Sequence, residues 1–263
     1  MKRLKSILKK FKKVLLAYSG GVDSTFLLKV AIDTLGKENV LAIIAKSETY
    51  PKSEEKKAID IAKNLSANCR VIKTCEFSDK NFIKNPRDRC YYCKKELFSK
   101  LSKLAKKEKI KYIIDGSNKD DLSDYRPGTI AKKEFGIRSP LQESGFTKEA
   151  VRELSRKLSL KTWNKPALAC LASRIPYGTK ITKEKLNRIN KSEEFLKSLG
   201  FGQLRVRDHG DLARIEVDKK EFSKILNKKI TEKITKKLKN LGYNYITIDI
   251  QGYRTGAMNE TLH

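Results

Sequence analysis

Six residues near the start of the chain, Ser19-Gly20-Gly21-Val22-Asp23-Ser24, have the composition of a loop that grips phosphate. Two glycines let backbone N–H groups approach phosphate oxygens, the serines supply hydroxyls, and a helix beginning at Ser24 adds the partial positive charge of its N-terminus. The lysine that follows the second glycine in GxxxxGK[ST] loops is missing, so transfer of a γ-phosphate is not the chemistry implied. Any strand-to-helix turn can hold glycines. Here, however, glycine is scarce, 14 of 263 residues, and a pair followed by Asp and Ser is a specific feature.

Cys170 lies in Pro166-Ala167-Leu168-Ala169-Cys170-Leu171-Ala172-Ser173-Arg174-Ile175-Pro176-Tyr177-Gly178. A cysteine among apolar residues is commonly a small core hydrophobe. Ser173 and Arg174 follow closely, though, and a nearby guanidinium favours the nucleophilic thiolate. Arg89-Cys90-Tyr91-Tyr92-Cys93-Lys94 contains a CxxC pair, open to a redox, a metal-binding or an inert reading. Cys69 and Cys75 flank a predicted strand without ligand spacing and read as structural. With only two histidines, one of them His263, a His-based metal site or triad lacks members, and chemistry falls to Cys, carboxylates, Arg, Lys and backbone groups. Arg205 and Arg207 stand two apart in a predicted strand, so both leave one face while Leu204 and Val206 leave the other; Arg214 and Glu216 repeat the relation. Paired arginines are fork-shaped donors suited to an anion, the alternative being a solvated edge of salt bridges.

The elements that position these residues follow from periodicity. Strands are expected at 13–19, 40–45, 69–73 and 111–115, alternating with helices at 24–35, 53–65, 92–106 and 147–158. This alternation predicts an α/β fold, a parallel sheet with helices on both faces. After Trp163-Asn164-Lys165-Pro166 the pattern changes to a helix at 183–199, a hairpin of strands 203–208 and 212–217 turning at His209-Gly210-Asp211, helices at 219–226 and 231–241, and a strand at 245–250. Two domains are expected, 1–165 and a smaller α+β domain, 166–263.

Composition sets limits. Hydrophobic residues at 39% support a folded core and exclude wholesale disorder. No apolar run reaches the ~18 residues of a membrane span and no signal peptide is seen, so a cytoplasmic protein with reduced cysteines is expected. A net charge of +28 makes a nucleic-acid partner an early candidate, but only 14 of the 59 basic residues are arginine. Lysine on solvated helix faces is the competing account, and such charge would still steer anionic ligands.

Ser19–Ser24 resembles the PP-loop of the ATP pyrophosphatase superfamily, and Asp115-Gly116-Ser117-Asn118-Lys119-Asp120-Asp121 is similar to the GTNxDD-type segment of several members. The resemblance implies ATP cleavage between the α and β phosphates, with Ser19, Gly20, Gly21, Asp23, Ser24, Gly116 and Asp120 at the nucleotide and Asp23 helping to hold Mg²⁺. The segment PALACLASRIPYG resembles the active-site segment of the LarE family, PP-loop sulfur transferases of nickel-pincer cofactor synthesis. It implies a small nucleotide substrate, a pyridinium biscarboxylic acid mononucleotide, whose carboxylate is adenylated and then receives sulfur. Cys170, Ser173 and Arg174 would be catalytic; Arg205, Arg207 and Arg254 would hold the substrate's phosphate or carboxylate, and Glu193 and Glu216 would line that site. Some members of the family resemble a sacrificial type that gives up the sulfur of the residue matching Cys170. Others carry three cysteines and hold a [4Fe-4S] cluster, and Cys90, Cys93 and Cys170 match these: three thiolates leave one iron open for a sulfide brought by a donor. A homo-oligomer is implied as well. A tRNA-thiolating PP-loop enzyme would share the loop and cysteines, but no flanking zinc-finger CxxC pairs and no separate RNA-binding module are visible.

Overall fold

The computed structural model describes residues 1–122, 127–166, 169–254, 256, 257 and 260, which form two compact units. One comprises Met1–Phe82 and Asp88–Leu168, the other Ile83–Arg87 and Ala169–His263. Ala167 and Leu168 of the Cys170 segment lie outside the described residues.

The first unit opens with α1 (Lys2–Phe11), a helix absent from the periodicity reading because its basic residues dominate; Leu4, Leu8 and Phe11 form its single buried stripe. Then come β1 (Val14–Ala17), α2 (Val22–Leu35), β2 (Val40–Lys46), α3 (Lys52–Asn64), β3 (Asn68–Lys73), the one-turn α4 (Lys80–Ile83), α5 (Arg89–Lys107), β4 (Tyr112–Asp115), α6 (Gly128–Glu134), the one-turn α7 (Pro140–Glu143) and α8 (Lys148–Lys157). The strands form one parallel sheet in the order β3-β2-β1-β4. Alternation along β1 fills two cores. Val14 and Leu16 pack with Phe26, Leu27 and Val30 of α2, whereas Leu15 packs with Phe98 and Leu101 of α5. Helices therefore cover both faces, as the βα alternation predicts. β3 is an exposed edge strand whose Arg70 and Lys73 discourage further pairing.

In the second unit α9 (Lys183–Ser198) starts at Thr182, whose hydroxyl accepts the Lys185 N–H. It is followed by β5 (Leu204–His209), β6 (Leu212–Val217), the one-turn α10 (Phe222–Ile225), α11 (Lys228–Asn240) and β7 (Tyr245–Ile248). β5 and β6 are an antiparallel hairpin, and β7 pairs parallel to β6. One sheet face, Leu204, Val206, Ala213, Ile215 and Val217, packs with Leu196 of α9 and Ile234 and Leu238 of α11. The opposite period-2 positions carry Arg205, Arg207, Arg214 and Glu216. Among the described residues no helix is long and apolar enough to cross a membrane.

Candidate functional site

Ser19-Gly20-Gly21 fill the turn between β1 and α2, at the carboxyl end of the parallel strands. From β1 the chain runs outward through β2 to β3, then returns to set β4 on the other side of β1. Such a reversal of strand order is where open α/β sheets bind ligands, and the Gly116 segment leaves β4 beside it. Gly20 has φ +65°, and a Cβ there would lie 2.6 Å from Ala58 Cβ of α3. At Gly116 a Cβ would come within 2.9 Å of the Ser24 backbone nitrogen. Both glycines are thus demanded by close approach, Gly20 to α3 and Gly116 to the first turn of α2. No side chain caps α2 at Gly21, leaving the first-turn N–H groups to an anion. The Ser19 and Ser24 hydroxyls are 3.0 Å apart.

Asp23 accepts a hydrogen bond from Asn118 Nδ2 at 3.1 Å and is ion-paired with Lys148 at the start of α8. Asp120 accepts the Lys148 backbone N–H at 2.8 Å, and Asp121 accepts that of Asn118 at 3.0 Å, so the paired aspartates of the 115–121 segment fix both partners of Asp23. Asp115 receives Ser139 Oγ at 2.6 Å and lies 3.2 Å from Lys132 Nζ. Lys165 donates to the Gly20 carbonyl at 2.9 Å and sits 2.8 Å from the buried Glu54. Burial alone would raise the Glu54 carboxyl, but Lys165 and Lys57 outweigh it and hold it below the usual carboxylate range. Tyr50 donates to the Ser19 carbonyl at 3.0 Å, and burial, with Glu54 alongside, pushes its hydroxyl well up. A carboxylate at a helix start, with substrate phosphates completing the shell, is a donor set that suits Mg²⁺.

Cys170 opens a 3₁₀ turn, Leu171–Arg174, in the second unit. Arg174, 1% exposed, has its Nε and Nη2 on the two oxygens of Glu193, at 2.8 and 3.0 Å. Its Nη1 donates to the carbonyls of Ala169 and Cys170, at 2.8 and 2.9 Å, and reaches the Ser173 hydroxyl at 3.0 Å. The hydrogen bonds that join Arg174 to Cys170 thus end on its carbonyl, and Glu193, expected to line the substrate site, is engaged by Arg174 and by the Val206 N–H. Arg207 forms a second bidentate pair with Glu216, at 2.7 and 2.8 Å, and donates to the Ser173 carbonyl at 2.8 Å. Arg205 lies with its guanidinium 5.0 Å from the centre of the Tyr253 ring. Burial and then the nearby Arg174 cation push Arg205 down from its ordinary value. Arg254 pairs with Glu260 at 2.9 Å and approaches Asp249 at 3.8 Å, which Arg214 approaches at 3.6 Å. The atoms that face Asp249 are Arg214 Nε and Arg254 Nη1, each at ion-pair rather than hydrogen-bond distance.

Cys90 and Cys93 lie one helical turn apart at the start of α5, which begins three residues earlier than periodicity indicates. Cys93 Sγ is 3.9 Å from Glu76 Oε1. None of the five cysteines is disulfide-bonded. Soft thiolates suit iron–sulfur ligation, yet among the described residues no three His, Cys, Asp or Glu side chains are grouped to hold a metal ion. Cys90 and Cys93 belong to the first unit and Cys170 to the second.

Four residues of these sites escape sequence reasoning. Lys148, Lys165 and Glu54 give no local signal, being ordinary charged residues brought to the loop only by the fold. Asn85 has a left-handed backbone, φ +55°, and its amide donates to the carbonyls of Ile175, Pro176 and Thr179, holding the segment after Arg174.

The NAD synthase family profile matches residues 2–89, the part that holds the glycine loop. A glutamine-dependent NAD(+) synthetase of Synechocystis sp. is 40% identical over 62 residues, 24% of this chain and 11% of its own. An uncharacterised protein of Methanocaldococcus jannaschii is 38% identical, with 96% of each chain covered. The pyridinium-3,5-bisthiocarboxylic acid mononucleotide synthase of Lactiplantibacillus plantarum is 40% identical over 259 residues, 98% of this chain and 93% of its own. With identity at this level across nearly the whole of both chains, and the glycine loop at the strand reversal, the chain belongs to the LarE family of PP-loop enzymes.

Proposed function

We propose that the chain is an ATP-dependent sulfur transferase that turns a carboxylate of a pyridinium biscarboxylic acid mononucleotide into a thiocarboxylate. A substrate carboxylate oxygen attacks the α-phosphorus of ATP, and pyrophosphate leaves with the electron pair of the broken P–O bond. The resulting mixed anhydride has AMP as a good leaving group. A sulfide then adds to the carbonyl carbon and AMP departs. The observation that carries this reading is the relation, over nearly the full length, to a synthase whose name states a bisthiocarboxylic acid mononucleotide product. The glycine cradle at the strand reversal supports the nucleotide half, with Asp23 the residue that would hold Mg²⁺ on its phosphates. The buried guanidinium groups of Arg205 and Arg207 on one face of β5 support an anionic substrate in the second unit, with Arg254 as a further cation that would hold it.

For the sulfur we propose a [4Fe-4S] cluster with the thiolates of Cys90, Cys93 and Cys170 as ligands, which supplies a bound sulfide when present. Supporting it is the CxxC pair, with Cys90 exposed and Cys93 half-buried, in addition to Cys170. Donation by Cys170 itself, leaving dehydroalanine, is the second reading, favoured by the lack of a metal-holding group among the described residues.

Incubation with ATP and either the pyridinium mononucleotide or tRNA, following pyrophosphate, tests the main reading. Release that requires the mononucleotide is expected; release that requires tRNA would overturn it in favour of RNA thiolation. Anaerobic reconstitution should load about four irons per chain and fail in Cys90→Ala, Cys93→Ala and Cys170→Ala. Iron retained in all three variants would sink the cluster, and dehydroalanine at position 170 after turnover would establish the second reading.

A further inference from the structure

The glycine loop lacks the lysine that P-loops use to meet terminal phosphates, yet adenylation expels pyrophosphate, and its charge must be met by something. The helix N-terminus supplies only about half a charge. Lys148, 125 residues further along the chain, brings a full one: its ammonium lies on the carboxylate of Asp23, in the first turn of the helix that follows the loop. The approach is built rather than incidental. Thr147 caps α8, accepting the Ala150 N–H, and Asp120 takes the Lys148 N–H at 2.8 Å, so the residue's backbone is fixed from both sides. The Lys119 N–H also donates to the Phe146 carbonyl at 2.7 Å, tying the segment after β4 to the start of α8. The Lys148 side chain is one-third exposed, so it has room to move.

We propose that Lys148 is the cation that meets the pyrophosphate group, exchanging the Asp23 carboxylate for the β- and γ-phosphates when ATP binds. The inference rests on the adenylation reading above. Asp23, released from the ammonium, is then available to a divalent cation on the same phosphates, and Asn118 keeps it in place through the exchange. Lys148 keeps its proton throughout: the bond from the α-phosphorus to the bridging oxygen breaks, the oxygen carries the electron pair away, and the ammonium stabilises that growing charge. Asp120, matched by resemblance to a nucleotide-bordering residue, acts in this account by positioning Lys148.

The test is equilibrium binding of inorganic pyrophosphate and of AMP, with Mg²⁺, to the wild-type chain, Lys148→Met and Lys148→Arg. Loss of one charge-assisted contact predicts roughly tenfold weaker pyrophosphate binding in Lys148→Met. AMP affinity should stay within twofold, and Lys148→Arg should regain most of the loss. Pyrophosphate bound equally well by Lys148→Met, or AMP binding lost to the same degree, would overturn the role of Lys148. If the wild-type chain bound neither ligand, the nucleotide reading itself would fall, a result distinct from failure of the variant alone.

Discussion

Replacing Gly20 by alanine separates two costs that the loop imposes. The first is conformational: with φ at +65°, a Cβ meets its own backbone, at a cost of about 1–2 kcal/mol. The second is steric: the new methyl would stand 2.6 Å from Ala58 Cβ and 2.8 Å from Ala58 Cα. Neither atom can move without shifting α3 or the loop, and overpacking of this kind costs about 1–3 kcal/mol. The sum is about 2–5 kcal/mol. Gly136 isolates the first cost, since its φ is +62° and a Cβ there meets nothing within 4 Å. Urea unfolding of Gly20→Ala and Gly136→Ala should therefore show the former less stable by about 1–3 kcal/mol. The Gly20 carbonyl, which accepts Lys165, moves with the loop, so pyrophosphate release should fall by up to about 10²-fold in Gly20→Ala. In Gly136→Ala it should not change. Equal stability loss in the two variants would refute the contact with α3 as the reason for glycine at position 20.

Breaking the buried Arg174–Glu193 pair from one side leaves an uncompensated charge, so Arg174→Met or Glu193→Gln should each cost about 3–5 kcal/mol in denaturant unfolding, while the double variant loses less than their sum. Additive losses would show the pair to be uncoupled. At Asn85, alanine should cost about 2–4 kcal/mol through lost donors to three carbonyls and left-handed strain, and aspartate more, because its carboxylate would face the same three carbonyl oxygens; aspartate tolerated better than alanine would contradict the hydrogen-bond account. Burial raises the Tyr18 hydroxyl from 10.0 to about 12, and raises Tyr50 and Tyr243 further. Since the folded form binds these protons more tightly, the stability they contribute is whole below pH 10.0 and is lost as pH climbs through 12 and beyond. Tyrosinate absorbance in an alkaline titration should show these three of the ten tyrosines ionising only with unfolding, whereas early ionisation of all ten would contradict their burial.

What could be read from the chain was local. The glycine pair, the βα alternation and the period-2 arginines of β5 each lie within a few residues, and the structure has the parallel sheet, the turn at Gly20 and the split of β5 into apolar and basic faces. What escaped depends on contacts far apart in sequence. Lys148 and Lys165 reach the loop from 125 and 145 residues away, and a lone lysine in a chain with 45 of them carries no mark. The α1 helix is masked by five basic residues among its ten, although Leu4, Leu8 and Phe11 keep helical spacing. Residues 83–87 belong to the second unit through backbone bonds such as Gly178 N–H to the Asn85 carbonyl at 2.9 Å, a pairing for which the segment itself has no pattern.

The +28 charge divides physically into two populations. Most of it is lysine on solvated faces, as on α11, where salt screens it within about 10 Å and its effect is limited to steering. The other population is small and buried. Arg174, Arg205 and Arg207 lie in the second unit with Glu193 and Glu216, and both carboxylates are held bidentately by Arg174 and Arg207. Arg205 carries the effect of that imbalance: burial and the Arg174 cation both disfavour its charged form. Its fork is engaged within the unit, Nη1 donating to the Leu204 carbonyl at 2.7 Å and Nη2 to the Tyr253 hydroxyl at 3.3 Å. The two glutamates do not merely lower the net charge. By fixing Arg174 on the carbonyls around Cys170 and Arg207 on that of Ser173, they tie the backbone at the thiol to the same cations. The charge held in one fixed geometry therefore resides in a few paired arginines, while most of the +28 stays on solvated lysine.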